Sequence, residues 1–343
     1  MTFDPRNILV IDFGQLGDVV MSLPALRAIR ELFPDARITV AVGKPGHEVI
    51  GLSGYADATI TVDRVSLRDG FKPLSIVRIL QVVKDVRKRE FDFVIDLHSF
   101  AETNLLGFLS GAPQRLFSRR PGRSLDFLAR FEPPPPIDRN DPKEHLTDRY
   151  LAVLEPLGIR QPSRAPYLVS RLGDDREIDR LLRKAKAKSS APFVGLYPGA
   201  GHASRRWPLE KFASLADFLI RNDDVVVLVF TGPEERALVP QIRRIFPSAC
   251  VILDRLTIPQ LLAAQARLSV FVSNDTGPMH LAAAVGAPIL LLSDQRAPDT
   301  YVPVNDPKRV IRRGALADVT VEEVYAATRQ LLVAGRTATL FAS

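Results

Sequence analysis

Three stretches of this 343-residue chain bring carboxylates, guanidiniums and glycines together in patterns that suit work on an anionic ligand. The first runs Asp12-Phe-Gly-Gln-Leu-Gly-Asp18, directly after an apolar run at residues 8–12. Gly14 and Gly17 allow positive φ and close approach of a ligand to the backbone, and free N–H groups where a helix begins favour anions. The dinucleotide fingerprint GxGxxG is not met, because residues 14–19 hold only two glycines. Asp18 has two readings. It caps the helix that follows, or it stands as a carboxylate at the C-terminal end of a first strand, where open α/β sheets bind ligands. Pro24, two residues past Ser22, predicts that the regular helix begins only there and leaves residues 13–21 as an irregular loop able to carry chemistry.

The second stretch, Pro198-Gly-Ala-Gly-His-Ala-Ser-Arg-Arg-Trp-Pro208, combines Gly199 and Gly201 with Arg205 and Arg206. Arginine binds phosphate oxygens in a bidentate way, so this loop suits a phosphate cradle; the alternative is a solvated turn with Trp207 packed on the core. Farther on, Thr-Gly-Pro-Glu-Glu offers Glu234 or Glu235 as acceptors for ribose hydroxyls, against the plainer reading of acidic residues in a first helical turn. The third stretch is Asn-Asp-Thr-Gly-Pro-Met-His at residues 274–280. There Pro278 fits the first turn of a short helix, Asp275 or Thr276 its cap and Gly286 its end, and the N–H groups at that start make an anion site. A lone His280 reads as structural. Their joint occurrence says more than any one of them.

Short β-branched runs alternating with amphipathic segments would position these loops, the pattern of βα units feeding parallel sheets. Strands are expected at 8–12, 38–42, 59–62 and 91–96, and then at 193–197, 225–230, 251–254, 270–273 and 289–293. Helices are expected at 23–33, 74–89, 209–221 and 258–266, where apolar residues recur at three and four. Two successive α/β domains follow, with a boundary in 160–192, where prolines, serines and a lysine-rich helix-like stretch at 174–188 interrupt the alternation. Four consecutive prolines within 132–141 predict an extended connection inside the first half.

The length suits two domains of ordinary size. Apolar residues at 46% and charged residues at 25% are those of a globular protein rather than a disordered one. The single cysteine, Cys250, reads as a small core side chain without zinc-site partners. No stretch reaches the roughly 18 apolar residues of a membrane-spanning helix, and the N-terminus lacks a signal-peptide core, which points to the cytoplasm. Forty-six Lys and Arg against 39 Asp and Glu give +7, inviting an acidic partner; nucleic acid has no motif here beyond that charge. Residues 115–130 hold five arginines against one aspartate, with Phe117, Leu125, Phe127 and Leu128 interleaved. This segment reads as a contact for an anionic lipid surface or acceptor phosphates, or as a solvated basic face.

With these blocks in this order, the sequence resembles glycosyltransferase family 9, the lipopolysaccharide heptosyltransferase-like enzymes. The resemblance rests on residues 8–11 with Gly17, Asp18 and Pro24, on Pro198-Gly199 with Arg205 to Pro208, on Gly232-Pro-Glu234, and on Asp275-Thr276-Gly277 with His280, Gly286 and Pro288. It implies an α/β GT-B fold, two Rossmann-like doubly wound parallel-sheet domains facing across a cleft. Residues 1–165 would form the acceptor-side domain, 166–192 a linker, and 193–343 the nucleotide-sugar donor domain, with a terminal helix that has the option of packing back on the first.

The resemblance also implies inverting, metal-independent transfer without a cofactor. Asp18 would be the general base, and Gly17, Gly199, Arg205, Arg206, Glu234, Glu235, Asp275, Thr276, Gly277 and Pro278 would hold the donor, with His280 in support. On the acceptor side the candidates are Arg119, Arg120 and Arg123. The expected partners are a nucleotide-sugar, ADP-heptose as first choice, and a glycolipid or surface-glycan acceptor, at a cytoplasmic location with a peripheral contact on the anionic inner membrane as an option. The stretch Ser293-Asp-Gln-Arg-Ala-Pro298 departs from the family's usual glycine-and-threonine loop, which keeps a UDP- or GDP-hexose donor open. A nucleotide-binding protein without catalysis is the rival of another class.

Overall fold

The computed structural model describes residues 4–62, 73–160, 162–188 and 190–341. The chain divides into two units, residues 1–166 with 299–302, and residues 167–298 with 303–343.

In the first unit the strands are β1 (Asn7–Asp12), β2 (Arg37–Gly43), β3 (Ala58–Val62), β4 (Phe93–Asp96) and β5 (Gln114–Phe117). They form one sheet in the order β3-β2-β1-β4-β5, and every pairing is parallel. Parallel neighbours need crossovers. The helices are α1 (Leu16–Leu32), α2 (Gly46–Ser53), α3 (Pro73–Lys88), α4 (Ala101–Leu109) and α5 (Leu146–Ala152). Ile8, Leu9, Val10 and Ile11 are wholly buried, as expected of a central strand covered on both faces.

Of the loop expected at residues 13–21, only 13–15 is irregular. Helix α1 starts at Leu16 and runs through Pro24. An interior proline removes one helical hydrogen bond at a cost of about 3 kcal/mol. Burial of Val19, Val20, Met21, Leu23, Leu26 and Ile29 outweighs that cost, at roughly 1.5–3 kcal/mol for each large apolar side chain.

The second unit contains β6 (Phe193–Tyr197), β7 (Val226–Phe230), β8 (Val251–Leu253), β9 (Leu268–Asn274), β10 (Ile289–Asp294) and β11 (Lys308–Arg313). Its parallel sheet has the order β11-β10-β9-β6-β7-β8. The helices are α6 (Leu172–Lys184), α7 (Leu209–Asn222), α8 (Val239–Ile245), α9 (Ile258–Gln265), α10 (Gly277–Ala284) and α11 (Val321–Phe341). Residues 166–192, expected as a linker, hold α6, which packs on α9; Arg267 pins it through Asp175 at 2.9 Å and Asp179 at 2.8 Å. The terminal helix α11 packs on α7 and β9 of its own unit. Cys250 sits half-buried against the core of this unit, and burial pushes its thiol up to about 12. Among the described residues, no helix is long and apolar enough to cross a membrane.

Candidate functional site

Each sheet has one place where the chain switches direction, between β1 and β4 in the first unit and between β6 and β9 in the second. Loops that leave the carboxyl ends of such strand pairs diverge and open a crevice. Asp18 follows β1, and Arg205 and Asp275 follow β6 and β9, at these two places, whereas Glu234 and Glu235 follow β7 and Arg119, Arg120 and Arg123 follow the edge strand β5.

In the first unit Asp18 occupies the first turn of α1, where its Oδ2 accepts the Gln15 N–H at 2.9 Å. The capping reading is realised, and it fixes a half-buried carboxylate at the strand's C-terminal end. The turn needs Gly14, because a Cβ there would lie 2.5 Å from the Asp18 Cβ. Gly17 is half-buried in the same helical turn. Behind them Asp12 is wholly buried and accepts the Gly14 N–H at 2.9 Å. Burial alone would raise the Asp12 carboxyl, but His98, Ser22 and the Gly14 N–H outweigh it and hold it below its ordinary value. Asp96, ending β4, is pushed up to about 6 by burial, against the bonds it accepts from Ser99, Thr103 and Asn104. Tyr150 on α5 is held neutral by burial and by the charges of Asp12 and Asp18.

The three arginines expected on the acceptor side are not equivalent. Arg120 is built into the fold, donating to Asp138 Oδ2 and to the His98 carbonyl, each at 2.8 Å. Arg119 lies 3.6 Å from Asp126 and is partly exposed, while Arg123 is exposed in a turn.

In the second unit Asn274, wholly buried at the end of β9, organises the site. Its Nδ2 donates to the carbonyls of Pro198 and Gly199, each at 3.1 Å, and its Oδ1 accepts the Trp207 N–H at 2.9 Å. One amide thus fastens both ends of the loop that carries Arg205 and Arg206. Trp207 is buried, as its core-packing reading expected, and its Nε1 donates to the Val319 carbonyl. Arg206 donates twice to the Ala200 carbonyl, at 2.9 and 2.7 Å, and so serves the loop itself. Arg205 is exposed, with its guanidinium 3.6 Å from Asp275. Burial raises the Asp275 carboxyl, and the Arg205 charge opposes that.

Thr276 is the N-cap of α10, and Thr276, Gly277 and Pro278 are half-buried around the helix start, where the Met279 N–H donates to the Thr276 carbonyl at 3.1 Å and the Gly277 N–H precedes any helical acceptor. Gly286, at φ +81°, follows the helix end, as a left-handed C-terminal residue should. His280 is buried within α10. The two glutamates separate. Glu235 is buried and accepts the Tyr197 hydroxyl at 2.8 Å and the Gly232 N–H at 3.0 Å, whereas Glu234 is exposed. Gly199 gives Glu235 its room, since a Cβ there would stand 2.3 Å from Oε1.

Sequence reasoning missed Asn274, Asp12 and His98. Asn274 sat in plain view beside Asp275, and its burial at a strand end is the signal that marks it. Asp12 and His98 meet only because β1 and β4 are sheet neighbours, 86 residues apart in the chain, which no local pattern reveals.

The glycosyltransferase family 9 (heptosyltransferase) model matches residues 79–326. Lipopolysaccharide heptosyltransferase 2 of Escherichia coli is 25% identical over 318 residues, 89% of this chain and 88% of that protein. The lipopolysaccharide core heptosyltransferase OpsX of Haemophilus influenzae is 22% identical over 316 residues, 90% of this chain and 84% of that protein. Among solved structures, a family 9 glycosyl transferase from Veillonella parvula superposes with a TM-score of 0.84 at 23% identity, covering 97% of this chain and 99% of that one. The E. coli heptosyltransferase WaaC with ADP gives 0.76 at 17% identity, over 95% and 99%.

Proposed function

The chain belongs to glycosyltransferase family 9, and from that premise we propose that it transfers a heptose from ADP-heptose to a lipopolysaccharide or related surface-glycan acceptor, with inversion and with Asp18 as general base. The observation that carries the donor half of this reading is the gathering of Arg205, Asp275 and the start of α10 around Asn274 at the switch point of the second sheet. The similarity to heptosyltransferases along most of the chain supports the sugar.

In the reaction an acceptor hydroxyl attacks the anomeric carbon, a new glycosidic bond forms on the face opposite the nucleotide, and the bond to the diphosphate breaks. The hydroxyl proton passes to the Asp18 carboxylate. The negative charge gathering on the departing diphosphate is met by the Arg205 guanidinium and by the Gly277 N–H at the positive end of α10. Exposed Glu234 is the acidic residue left to meet a ribose hydroxyl, because Glu235 is committed to Tyr197 and Gly232.

Screening ADP, UDP and GDP by thermal shift tests the nucleotide, since a ligand bound by the native state alone raises apparent stability. Selective stabilisation by ADP is expected. A UDP or GDP preference overturns the donor and favours a hexose, a reading that draws on residues 293–298, where Asp294 pairs with Arg296 and also feels Arg205. Asp18→Asn should bind ADP normally and lose turnover; near-normal turnover sinks the base. A peripheral contact with anionic lipid is part of the proposal, supported by Phe127, 78% exposed, with Leu105, Phe108 and Arg123 also exposed. Flotation with phosphatidylglycerol vesicles, lost in Phe127→Asp, tests it.

A further inference from the structure

At the switch point of the first sheet lies a group of titratable side chains that the proposed chemistry does not use. Asp12 and Asp96 are wholly buried and His98 nearly so. His98 Nδ1 stands 3.6 Å from Asp12 Oδ1, and among the described residues neither that nitrogen nor Asp12 Oδ2 has a hydrogen-bond partner. A buried carboxylate with an oxygen unmet is costly, and an apolar pair of similar volume would stabilise the fold at least as well. The position of the pair is what distinguishes it. A Cβ placed on Gly14 would lie 3.0 Å from Asp12 Oδ1 and 3.4 Å from Asp18 Cγ, so the two carboxylates border one small gap.

We propose that Asp12 and His98 are positioning residues that set the basicity of Asp18 through this gap. The inference rests on Asp18 being the base. Wholly buried Asp12 places a negative charge near half-buried Asp18, which disfavours a second carboxylate charge and makes Asp18 the stronger proton acceptor. His98 sets how much of that charge is felt. Its imidazole stands against the other side of the Asp12 carboxylate, with Nδ1 3.6 Å from Oδ1, and tempers the charge that reaches Asp18. The other charged and titratable groups facing the pair are Asp96, whose charge acts on His98, Tyr150, which feels both Asp12 and Asp18, and Arg120, which donates to the His98 carbonyl. Tyr150 is held neutral, and Arg120 is balanced by Asp138 at 2.8 Å.

The test is a carboxyl carbon NMR titration of the full chain labelled at aspartate, with the Asp18 resonance assigned by its absence in Asp18→Asn. Asp12→Asn, nearly isosteric, leaves His98 without its counter-charge and should lower the Asp18 midpoint by about one unit. His98→Gln leaves Asp12 uncompensated and should raise it. The acid limb of kcat/KM, measured with ADP-heptose and a heptose-deficient lipopolysaccharide, should move in the same two directions. A purely structural pair would change melting temperature and leave the midpoint alone. Midpoints unmoved in both variants, or moved in the same direction, overturn the proposal. If Asp18→Asn retains turnover, the base assignment fails while the titration still reports on the pair; if it is inactive and the midpoints do not move, the pair alone fails.

Discussion

Replacing Asn274 by alanine is the sharpest way to ask whether the second unit's site is organised as described. The substitution strands three buried groups: the Trp207 N–H and the carbonyls of Pro198 and Gly199. Each unmet buried group costs about 1–3 kcal/mol, and a water entering the amide-sized space recovers part of that, so a loss of about 3–5 kcal/mol is expected. The loop bearing Arg205 loses its fastening, and ADP should bind at least about tenfold more weakly, equivalent to about 1.4 kcal/mol. Trp207 is the chain's single tryptophan, so its fluorescence in a urea titration reports this unit directly, while calorimetry with ADP reads the loop. Asn274→Asp adds a sign. Near neutral pH its second oxygen would face two carbonyls and the loss should be as large, whereas in acid the protonated oxygen can donate to them and stability should partly return. An alanine variant within about 1 kcal/mol of the parent, with unchanged ADP affinity, would refute the fastening role.

Arg206→Ala should cost about 1–2 kcal/mol by stranding the Ala200 carbonyl, whereas Arg205→Ala should stay within about 0.5 kcal/mol and instead weaken ADP binding about tenfold; the two readouts together check the division of labour. Gly199→Ala drives a Cβ into Glu235 and should destabilise by about 2 kcal/mol, while Gly201→Ala, with open space around it, should be neutral in the same denaturation experiment. For Asp96, raised from 3.8 to about 6, the folded state holds a proton that the unfolded chain releases. Its contribution to stability is therefore full below about pH 4 and lost as pH rises through 6. The advantage of the parent over Asp96→Asn in urea titrations should shrink by up to about 3 kcal/mol between pH 4 and pH 7. A difference independent of pH would contradict the assignment.

The strands legible from sequence are those where apolar and β-branched residues run together, the edge strands β3 (Ala-Thr-Ile-Thr-Val) and β8 (Val-Ile-Leu) included. The two that escaped, β5 and β11, are also edges but lack such a run, and β11 reads Lys-Arg-Val-Ile-Arg-Arg, charge where an apolar run would have announced it. The start of α1 was misplaced because Pro24 obeyed a local rule that burial overrode. At the two switch points, Asp18 in the first unit and Arg205 and Asp275 in the second were visible as residue types in context. What sequence could not divide was Arg205 from Arg206 or Glu234 from Glu235, since adjacent identical residues differ only in which way the fold turns them.

The four residues 299–302 belong to the first unit although the second surrounds them in the chain. Thr300 donates to the Pro142 carbonyl at 2.9 Å, and the His145 imidazole shares a hydrogen bond with the Val302 carbonyl at 2.8 Å. During synthesis, then, the first-made unit waits for its last stitches until nearly the whole chain has left the ribosome. A fragment ending at Pro166 would carry the entire sheet that holds Asp18 and still be an unfinished unit.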